Sequence, residues 1–358
     1  MNLVIPMAGK SSRFPDLKPK WMLTHPSGNF MVLEGISGLN LNDFENIFFV
    51  YLQEHEETHH FLKGFTEEIA DMNISSKAKF IALDYPTKDQ PQTVYEAIQL
   101  TEMKGPVFIK DSDNRFNFNY KGNNVVCFED LNDIGLIKPK NKSYIQVNNE
   151  GTIINIIEKK VISSSFCVGG YGFESAQHYT DAYKALNDLN EKYISNIIYH
   201  EILNEKIFTG EKVKHYSDWG TIEDWDRFKR SYATLFVDLD GTLVKNSSWH
   251  FPPYIGESDP LEANVEIIKR LQQSGKFEII ITTSRPHKFK EVTEQQLERL
   301  GIKYKYLLMN LNHTKRIIIN DYSKSNPYKS CDAINLKRNS DDLKEILRES
   351  LGIDYEEI

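Results

Sequence analysis

The sequence predicts an α/β protein of two doubly wound domains, in which helices cover both faces of a mostly parallel sheet. Three observations predict this fold class. Two short apolar runs, LVIPM at 3–7 and ATLFVDL at 233–239, each lead into a loop of small and polar residues, as buried parallel strands do. Strand-like and helix-like segments alternate after both runs. The length of 358 residues suits two domains.

The first predicted domain, residues 1–231, combines a parallel sheet with an inserted, more antiparallel layer. Apolar runs predict parallel strands at 3–7, 47–52, 79–83 and 106–110, separated by helices near 54–69 and 93–103. Short β-rich segments, broken by Asn, Gly and Pro, predict the inserted layer at 124–128, 134–137, 143–147, 152–157 and 165–173. A helix is expected over 175–204.

The second predicted domain, residues 232–358, repeats the alternation. We place the boundary between Arg227 and Tyr232, where no low-complexity linker occurs, so the domains are expected to pack closely. After the first strand we expect a helix at 263–274, a strand at 277–282, a helix at 288–300, a strand at 316–320 and a helix at 341–351.

Composition excludes several classes of protein. A net charge of −8 disfavours a binder of nucleic-acid backbones. The three cysteines lie far apart, which fits a reduced compartment and no structural zinc. No apolar run approaches the roughly 18 residues of a membrane span, and no basic segment precedes the first apolar run as in a signal peptide. We therefore predict a cytoplasmic protein with small-molecule partners, and homo-oligomerisation stays open.

A first group of polar residues predicts a site for phosphates and magnesium. In the loop after the first strand, Ala8, Gly9 and Ser11 allow backbone N–H groups to approach a phosphate, while Lys10, Arg13 and the later Lys20 supply positive charge. Asp111 and Asp113 follow another strand, and Asp218 lies in a turn. Carboxylates at one sheet edge, together with substrate phosphates, are the ligands that Mg2+ prefers.

This pattern resembles the sugar-phosphate nucleotidylyltransferase superfamily over nearly all of residues 1–231, on the segments MAGKSSRF, Pro19-Lys20, DQPQTVYEA, KDSDN, Glu158-Lys159, VGGYGF and DWGTIEDW. The resemblance implies transfer of a nucleotidyl group from a nucleoside triphosphate to a sugar or polyol phosphate, with release of pyrophosphate. The Asp-x-Asp-Asn pattern inclines the base preference towards CTP.

The same resemblance assigns a role to each matched residue. Arg13 and Lys20 would hold the triphosphate and act in catalysis, with the loop residues Ala8, Gly9, Lys10 and Ser11 around it. Gln92 and Thr93 would meet the base, and Glu158, Lys159 and Gly170 the phosphorylated acceptor. Mg2+ would bind Asp113, or alternatively Asp111, together with Asp218.

A second group begins with LFVDLDGTLV, where an apolar strand delivers Asp238 and Asp240. The first carboxylate can attack phosphorus and the second can protonate the leaving group. The string resembles the first motif of the haloacid dehalogenase superfamily of phosphatases, which implies a Rossmann-like fold, here without a large cap. By this resemblance Thr283 and the neighbouring Arg285 would bind the phosphoryl group. Asp321 would complete a second Mg2+ site with Asp238 and Asp240.

The resemblance also implies a catalytic lysine, for which Lys315 is our choice over Lys303, Lys305 and Arg316. The sequence as a whole thus predicts a bifunctional, Mg2+-dependent nucleotidyltransferase and phosphatase, with one Mg2+ site in each domain. By family resemblance it would serve bacterial surface (capsule) polysaccharide precursor synthesis. Two alternatives stay open. One is an enzyme that processes polynucleotide ends, suggested by the segment TSRP, and the other is a nucleotide sensor with one degenerate half.

Overall fold

The computed structural model describes residues 1–9, 14, 17–134, 139–186, 189–321 and 330–351. Three predicted site residues, Lys10, Ser11 and Arg13, lie outside this part of the chain, as does most of the β-rich segment expected at 134–137. The chain divides into two compact units, Met1–Trp225 and Asp226–Ile358. No helix among the described residues is long and apolar enough to cross a membrane.

The first unit contains a nine-stranded mixed sheet, which confirms the α/β prediction. Its strands are β1 (Asn2–Pro6), β2 (Asn46–Leu52), β3 (Ala78–Leu83), β4 (Val107–Lys110), β6 (Val125–Asp130), β7 (Tyr144–Val147), β8 (Ile153–Ile157), β9 (Ser165–Phe173) and β10 (Thr209–Lys212). The main order is β10-β6-β9-β4-β1-β2-β3, and β7 joins β8 to β9. Strands β4, β1, β2 and β3 are parallel, whereas β9 runs antiparallel to β4 and β6.

A separate two-stranded antiparallel sheet pairs β5 (Asn114–Asn117) with β11 (Lys214–Asp218). The helices of this unit are α1 (Met31–Ile36), α2 (Gln53–His59), α3 (Leu62–Asp71), α4 (Gln90–Thr101), α5 (Ala176–Ala185), α6 (Ile194–Leu203) and α7 (Ile222–Arg230), of which α7 continues past the division between the units. The helix expected at 54–69 is two helices, because His60 adopts a left-handed φ of 48° that ends α2. The helix expected at 175–204 is likewise two.

Helices cover both faces of the large sheet because side chains alternate along its strands. Leu3 and Ile5 of β1 pack into a cluster with residues of α1 and α3. Val4, between them, packs into a second cluster with residues of α4, α5 and α6. The central parallel strands β1, β2 and β4 are therefore buried on both sides, as their continuous apolar runs predict, whereas the edge strand β3 is partly exposed.

The second unit has a three-stranded parallel sheet in the order β12 (Ala233–Asp238), β13 (Phe277–Thr282) and β14 (Tyr306–Leu308). Its helices are α8 (Glu262–Gln273), α9 (Lys290–Leu300) and α10 (Leu343–Leu351). All three contribute side chains to one apolar cluster with the sheet. The strands follow in chain order, so the described residues do not show the order reversal of a doubly wound sheet that we expected here.

The strand predicted at 316–320 is not formed. These residues have no regular secondary structure, and Ile317 and Ile319 are 75% and 92% exposed. A run of isoleucines is typical of a buried strand, but a strand also needs a neighbour for its backbone hydrogen bonds. Within the described residues, no such ladder joins this segment to the sheet.

Candidate functional site

The carboxyl ends of β1 and β4 form the edge of the first unit where the predicted phosphate and metal residues lie. These strands are parallel neighbours, with Val4 opposite Ile109. The loop beginning at Ala8 therefore leaves the sheet at the same edge as Asp111. Ala8 is fully buried, whereas Gly9 is exposed, and a Cβ on Gly9 would meet no described atom within 4 Å.

Lys20 and Asp113 form an ion pair at this edge. Lys20 begins a short 3-10 helix, Lys20–Met22, and its Nζ lies 2.5 Å from Asp113 Oδ2. The two side chains are 19% and 10% exposed, so both are largely withdrawn from bulk water. Such a contact is a charge-assisted hydrogen bond, stronger than a neutral one. The structure thus joins two residues that the sequence assigns to the triphosphate and the metal ion.

Asp218 lies next to Asp113 because β11 pairs with β5. Asp218 is opposite Asn114 in the antiparallel register, and the backbone N–H of Trp219 donates to the carbonyl of Asp113 at 2.9 Å. The Gly220 N–H donates to Asp218 Oδ1 at 3.1 Å and holds the turn. Two aspartates separated by about a hundred residues of sequence therefore have their backbones close together in this small sheet.

Lys142, which the sequence analysis missed, pairs with Asp218. Its Nζ lies 2.5 Å from Asp218 Oδ2 and donates to the Tyr216 hydroxyl at 3.1 Å. The two charged side chains are 22% and 13% exposed. The carboxylate and the Tyr216 oxygen raise the pKa of Lys142 although its burial opposes this, so the ammonium stays charged. Lys142 sits in a polar stretch without regular spacing, and no local pattern marks it.

Asp111 has different surroundings from Asp113. Its Oδ1 accepts a hydrogen bond from Gln90 Nε2 at 2.5 Å, and its backbone N–H donates to Gly169 at 2.8 Å. A Cβ on Gly169 would lie 2.3 Å from Asp111 Oδ2, so the carboxyl rests against the backbone of β9. Burial, followed by the nearby Asp113, raises the pKa of Asp111. Asp113 is thus the carboxylate beside Asp218, and Asp111 packs between β9 and the first turn of α4.

Lys110 is a second lysine that the sequence analysis missed. It is fully buried at the end of β4, and its Nζ donates to the carbonyls of Asp111 and Asn114 at 2.8 and 2.9 Å and to Asn114 Oδ1 at 2.6 Å. It also lies 4.7 Å from the centre of the Phe116 ring. Burial lowers its pKa to about 8. These bonds close the turn that carries Asp113. The sequence signal that could have identified Lys110 is a lysine at the end of an apolar strand.

The residues assigned to the base lie at the start of α4 but serve the helix itself. Asp89 caps it by accepting from the Gln92 N–H at 2.9 Å, and the Gln92 side chain accepts from the Lys88 N–H at 2.8 Å. Thr93 is 2% exposed and shares a hydrogen bond of 2.6 Å with the Thr87 hydroxyl. For Thr93 this correction follows from burial: its hydroxyl already has a partner inside the fold. Gln90, unassigned by the sequence, is the residue of this segment that reaches Asp111.

The Glu158-Lys159 pair lies between β8 and β9. Glu158 Oε2 accepts hydrogen bonds from the hydroxyls of Ser143 and Ser195. Lys159 has a left-handed φ of 53°, and its Nζ donates to the Tyr193 hydroxyl at 2.6 Å. Its side chain is turned towards α6.

Gly170 lies on β9 in close packing. A Cβ there would come within 2.6 Å of Phe116 Cζ and 3.0 Å of Cys127, so the position requires glycine. The expected contact of Gly170 with the acceptor stays a prediction.

The pair Asp113 and Asp218 fits a magnesium site on the chemistry of its donors. Both present carboxylate oxygens, the ligand type that Mg2+ prefers. Each has an ammonium group 2.5 Å from one oxygen, so the fold already places positive charge there. The described residues contain no group of three or more Asp, Glu, His or Cys arranged for a metal ion. A two-carboxylate site completed by substrate phosphates and water is the arrangement usual for Mg2+.

In the second unit, Asp240 is the centre of a buried hydrogen-bond network. Arg285 donates to both of its oxygens, from Nε at 2.9 Å and from Nη2 at 2.8 Å. The hydroxyls of Thr283 and Ser247 add bonds of 3.2 and 2.7 Å. Arg285 Nη1 also donates to Thr293 and Gln296. With a side chain only 2% exposed, Arg285 makes these bonds inside the protein, and its expected role on a substrate phosphate stays a prediction.

Asp238 ends β12 opposite Thr282 and pairs with Arg316, whose Nη2 lies 3.1 Å from Asp238 Oδ1. Burial raises the pKa of Asp238, and Arg316 opposes that shift. Lys315, our choice for the catalytic lysine, is exposed, and its neighbour Arg316 makes the contact instead. Asp321 is also exposed, and the described residues do not assemble it with Asp238 and Asp240 into a three-carboxylate group. The missing strand at 316–320 explains this, since that strand was to carry Asp321 to the site.

Comparison with known proteins identifies the fold of the N-terminal region. Neither a protein-family model nor a curated protein sequence matches the chain. Among solved structures, a nucleoside-diphosphate-sugar pyrophosphorylase from Vibrio cholerae is similar with a TM-score of 0.53 at 19% identity, over 63% of this chain and 98% of its own. A UDP-glucose pyrophosphorylase complexed with UDP-glucose is similar with a TM-score of 0.50 at 16% identity, over 63% of this chain and 96% of its own. The N-terminal region therefore has the nucleotidyltransferase fold.

Proposed function

We propose that residues 1–231 catalyse nucleotidyl transfer from a nucleoside triphosphate to a phosphorylated sugar or polyol. The single observation that carries this proposal is that the backbones of Asp113 and Asp218 lie close together through the pairing of β5 with β11, and each side chain has a lysine partner. The fold shared with solved sugar-nucleotide pyrophosphorylases supports it. CTP is the triphosphate that we would test first, and synthesis of a bacterial surface polysaccharide precursor is the proposed setting.

In this reaction an oxygen of the acceptor phosphate attacks the α-phosphorus, and pyrophosphate leaves in line. The chain mainly has to position two anions and offset their charge. Mg2+ held by Asp113 and Asp218 would offset charge on the α-phosphate. Lys20, which lies at the same edge, would bind the triphosphate, together with Arg13. Lys159 would swing from the Tyr193 hydroxyl to the acceptor's phosphate.

The test is pyrophosphate release with CTP, UTP, GTP or dTTP against a panel of sugar and polyol phosphates. Because phosphate released by the second unit would confound a coupled assay, it should be run in an Asp238→Asn background. We expect Asp113→Asn and Asp218→Asn to lower release by at least about a hundredfold, as for loss of a group that stabilises transition-state charge. Asp133→Asn, which removes an exposed Lys–Asp pair with Lys212, is the control and should leave release unchanged. Full activity in Asp113→Asn would refute the assignment.

For residues 232–358 we propose hydrolysis of a phosphomonoester by attack of Asp238 on phosphorus. The observation that favours it is that Asp238 and Thr283 follow directly from neighbouring parallel strands, with Thr283 bonded to Asp240. Asp240 accepts four hydrogen bonds in this arrangement, so it can act as proton donor only after Arg285 has shifted. Phosphate release from sugar phosphates should vanish in Asp238→Asn. Release that persists in that variant would refute a covalent aspartyl-phosphate.

A further inference from the structure

The two lysine–aspartate pairs at the edge of the first sheet have the same arrangement of charges. Lys20 and Asp113, and Lys142 and Asp218, each join one ammonium to one carboxylate oxygen at 2.5 Å. Their charges sum to zero. All four side chains keep between 10% and 22% of their surface exposed, so small ions can reach them.

A divalent cation and an ammonium cannot occupy the same carboxylate lone pair. An ammonium 2.5 Å from Asp218 Oδ2 repels a divalent cation at the same oxygen, so metal binding there favours the departure of Lys142. The released ammonium then needs another partner, since an unpaired charge with restricted access to water is costly. Lys142 is a four-carbon side chain ending in a point charge, so it can swing over several ångströms without any change in the backbone.

We propose that Lys142 is an exchangeable counter-ion. It neutralises Asp218 when the site holds no metal, and it transfers to a substrate phosphate when a metal ion takes its place. This inference rests on the proposed nucleotidyl transfer. The Tyr216 hydroxyl, 3.1 Å from Nζ, is a neutral contact that holds the ammonium beside Asp218 when the site holds no metal.

The exchange makes metal and nucleotide binding depend on each other. Without a divalent ion, the charges of these two pairs cancel, so the pairs themselves add little attraction for a triphosphate. With the ion bound, the same four residues and the metal carry a net charge of about +2, which attracts the triphosphate. The lysine that competes with the metal is thus the lysine that later holds the anion.

The test measures Mn2+ affinity of the full-length, nucleotide-free protein by electron paramagnetic resonance of the free ion. We expect Lys142→Met to bind Mn2+ about tenfold more tightly than wild type, because the competing ammonium is gone, which corresponds to about 1.4 kcal/mol. In the presence of saturating Mn2+, the same variant should bind CTP about tenfold more weakly. A purely structural role for Lys142 would move both affinities in the same direction.

Three further variants secure the interpretation. Lys142→Arg keeps the positive charge and should not tighten Mn2+ binding. If Lys142→Met folds poorly, tighter Mn2+ binding in Lys142→Arg would contradict the exchange in its place. In an Asp218→Asn background, Lys142→Met should no longer change Mn2+ affinity. Lys305→Met removes a Lys–Glu pair of the same 2.5 Å length whose side chains are about half exposed, and it should change neither affinity.

The possible failures are distinguishable. Unchanged or weaker Mn2+ binding in Lys142→Met overturns the exchange, even when the wild-type protein releases pyrophosphate. Tighter Mn2+ binding with unaltered nucleotide binding overturns the transfer of Lys142 to phosphate. A wild-type protein that binds Mn2+ but releases no pyrophosphate with any triphosphate overturns the proposed function instead.

Discussion

Replacing Gly169 by alanine tests whether the position of Asp111 matters for the site. Gly169 has a φ of +79°, and a Cβ there would lie 2.3 Å from Asp111 Oδ2. A left-handed backbone costs an alanine about 1–2 kcal/mol. Moving the Asp111 carboxyl would also break its bond to Gln90, at a cost of about 1–3 kcal/mol. We expect a total loss of about 2–5 kcal/mol, a fall in Tm on the order of 10 °C.

The chain offers a matched control for the backbone contribution. Gly151 has nearly the same φ, +80°, but a Cβ there would meet nothing within 4 Å. Gly151→Ala should therefore show only the conformational cost, a fall in Tm of about 5 °C. The difference between the two variants, read by thermal unfolding, isolates the clash with Asp111.

A functional readout accompanies the stability measurement. Displacing Asp111 disturbs the turn that carries Asp113, so pyrophosphate release should fall at least about tenfold in Gly169→Ala and stay near wild type in Gly151→Ala. The double variant Gly169→Ala/Asp111→Gly should recover part of the lost stability, because it removes all three Asp111 atoms that lie within 2.7 Å of the added Cβ. Equal melting temperatures for the two single variants would refute the reasoning.

Three other predictions concern charged groups in the interior. Arg285→Met should lower the free energy of unfolding in urea by about 3 kcal/mol, because the Asp240 carboxylate loses its charged partner. Arg285→Lys should recover only part of this loss, and an unchanged urea midpoint in Arg285→Met would contradict the prediction. Burial, and then His59, lowers the pKa of His55 to about 4. As the pH drops, His55 is therefore protonated in the unfolded chain before it is protonated in the folded one. The free energy of unfolding should fall between about pH 6.5 and pH 4. His55→Leu should flatten that dependence, and identical slopes would refute it. Burial lowers the pKa of Lys110 to about 8, so the contribution of Lys110 to stability should rise between pH 8 and 10.5 by up to about 1.4 kcal/mol per unit. This contribution is read as the difference between wild type and Lys110→Met in the same urea series, and a constant difference would contradict it.

The parts of the fold that could be predicted from the sequence are those with a local pattern of apolar residues. The runs at 3–7 and 47–52 are apolar throughout because their strands are buried on both faces. The run at 79–83 begins with Lys79 and forms the partly exposed edge strand β3. Each of the three runs lies within a residue of the observed strand. The run at 316–320 has the same composition and forms no strand. Strand pairing depends on residues far away in the chain, which a local pattern does not contain.

The candidate site was predictable where its residues follow the ends of apolar strands. Asp113 could be found because it follows β4, and its neighbour Asp218 because a small-residue turn follows it. Lys142 and Gln90 were missed because their partners, Asp218 and Asp111, lie far away in the chain and are set by the packing of separate elements. Lys110 bonds to residues in the turn after its own strand, so its signal is local and was overlooked.

The exposed fraction of the side chain distinguishes two kinds of positively charged residue that look alike in the sequence. Arg285 follows a strand end next to a carboxylate, as expected of a phosphate ligand, yet its side chain is 2% exposed and makes bonds to Asp240, Thr293 and Gln296. Lys142 makes an ion pair of similar strength but is 22% exposed. A buried guanidinium with several fixed hydrogen-bond acceptors stabilises the fold, whereas a partly exposed lysine can change partners. Removing Arg285 should therefore lower the free energy of unfolding most, and removing Lys142 should mainly change ligand binding.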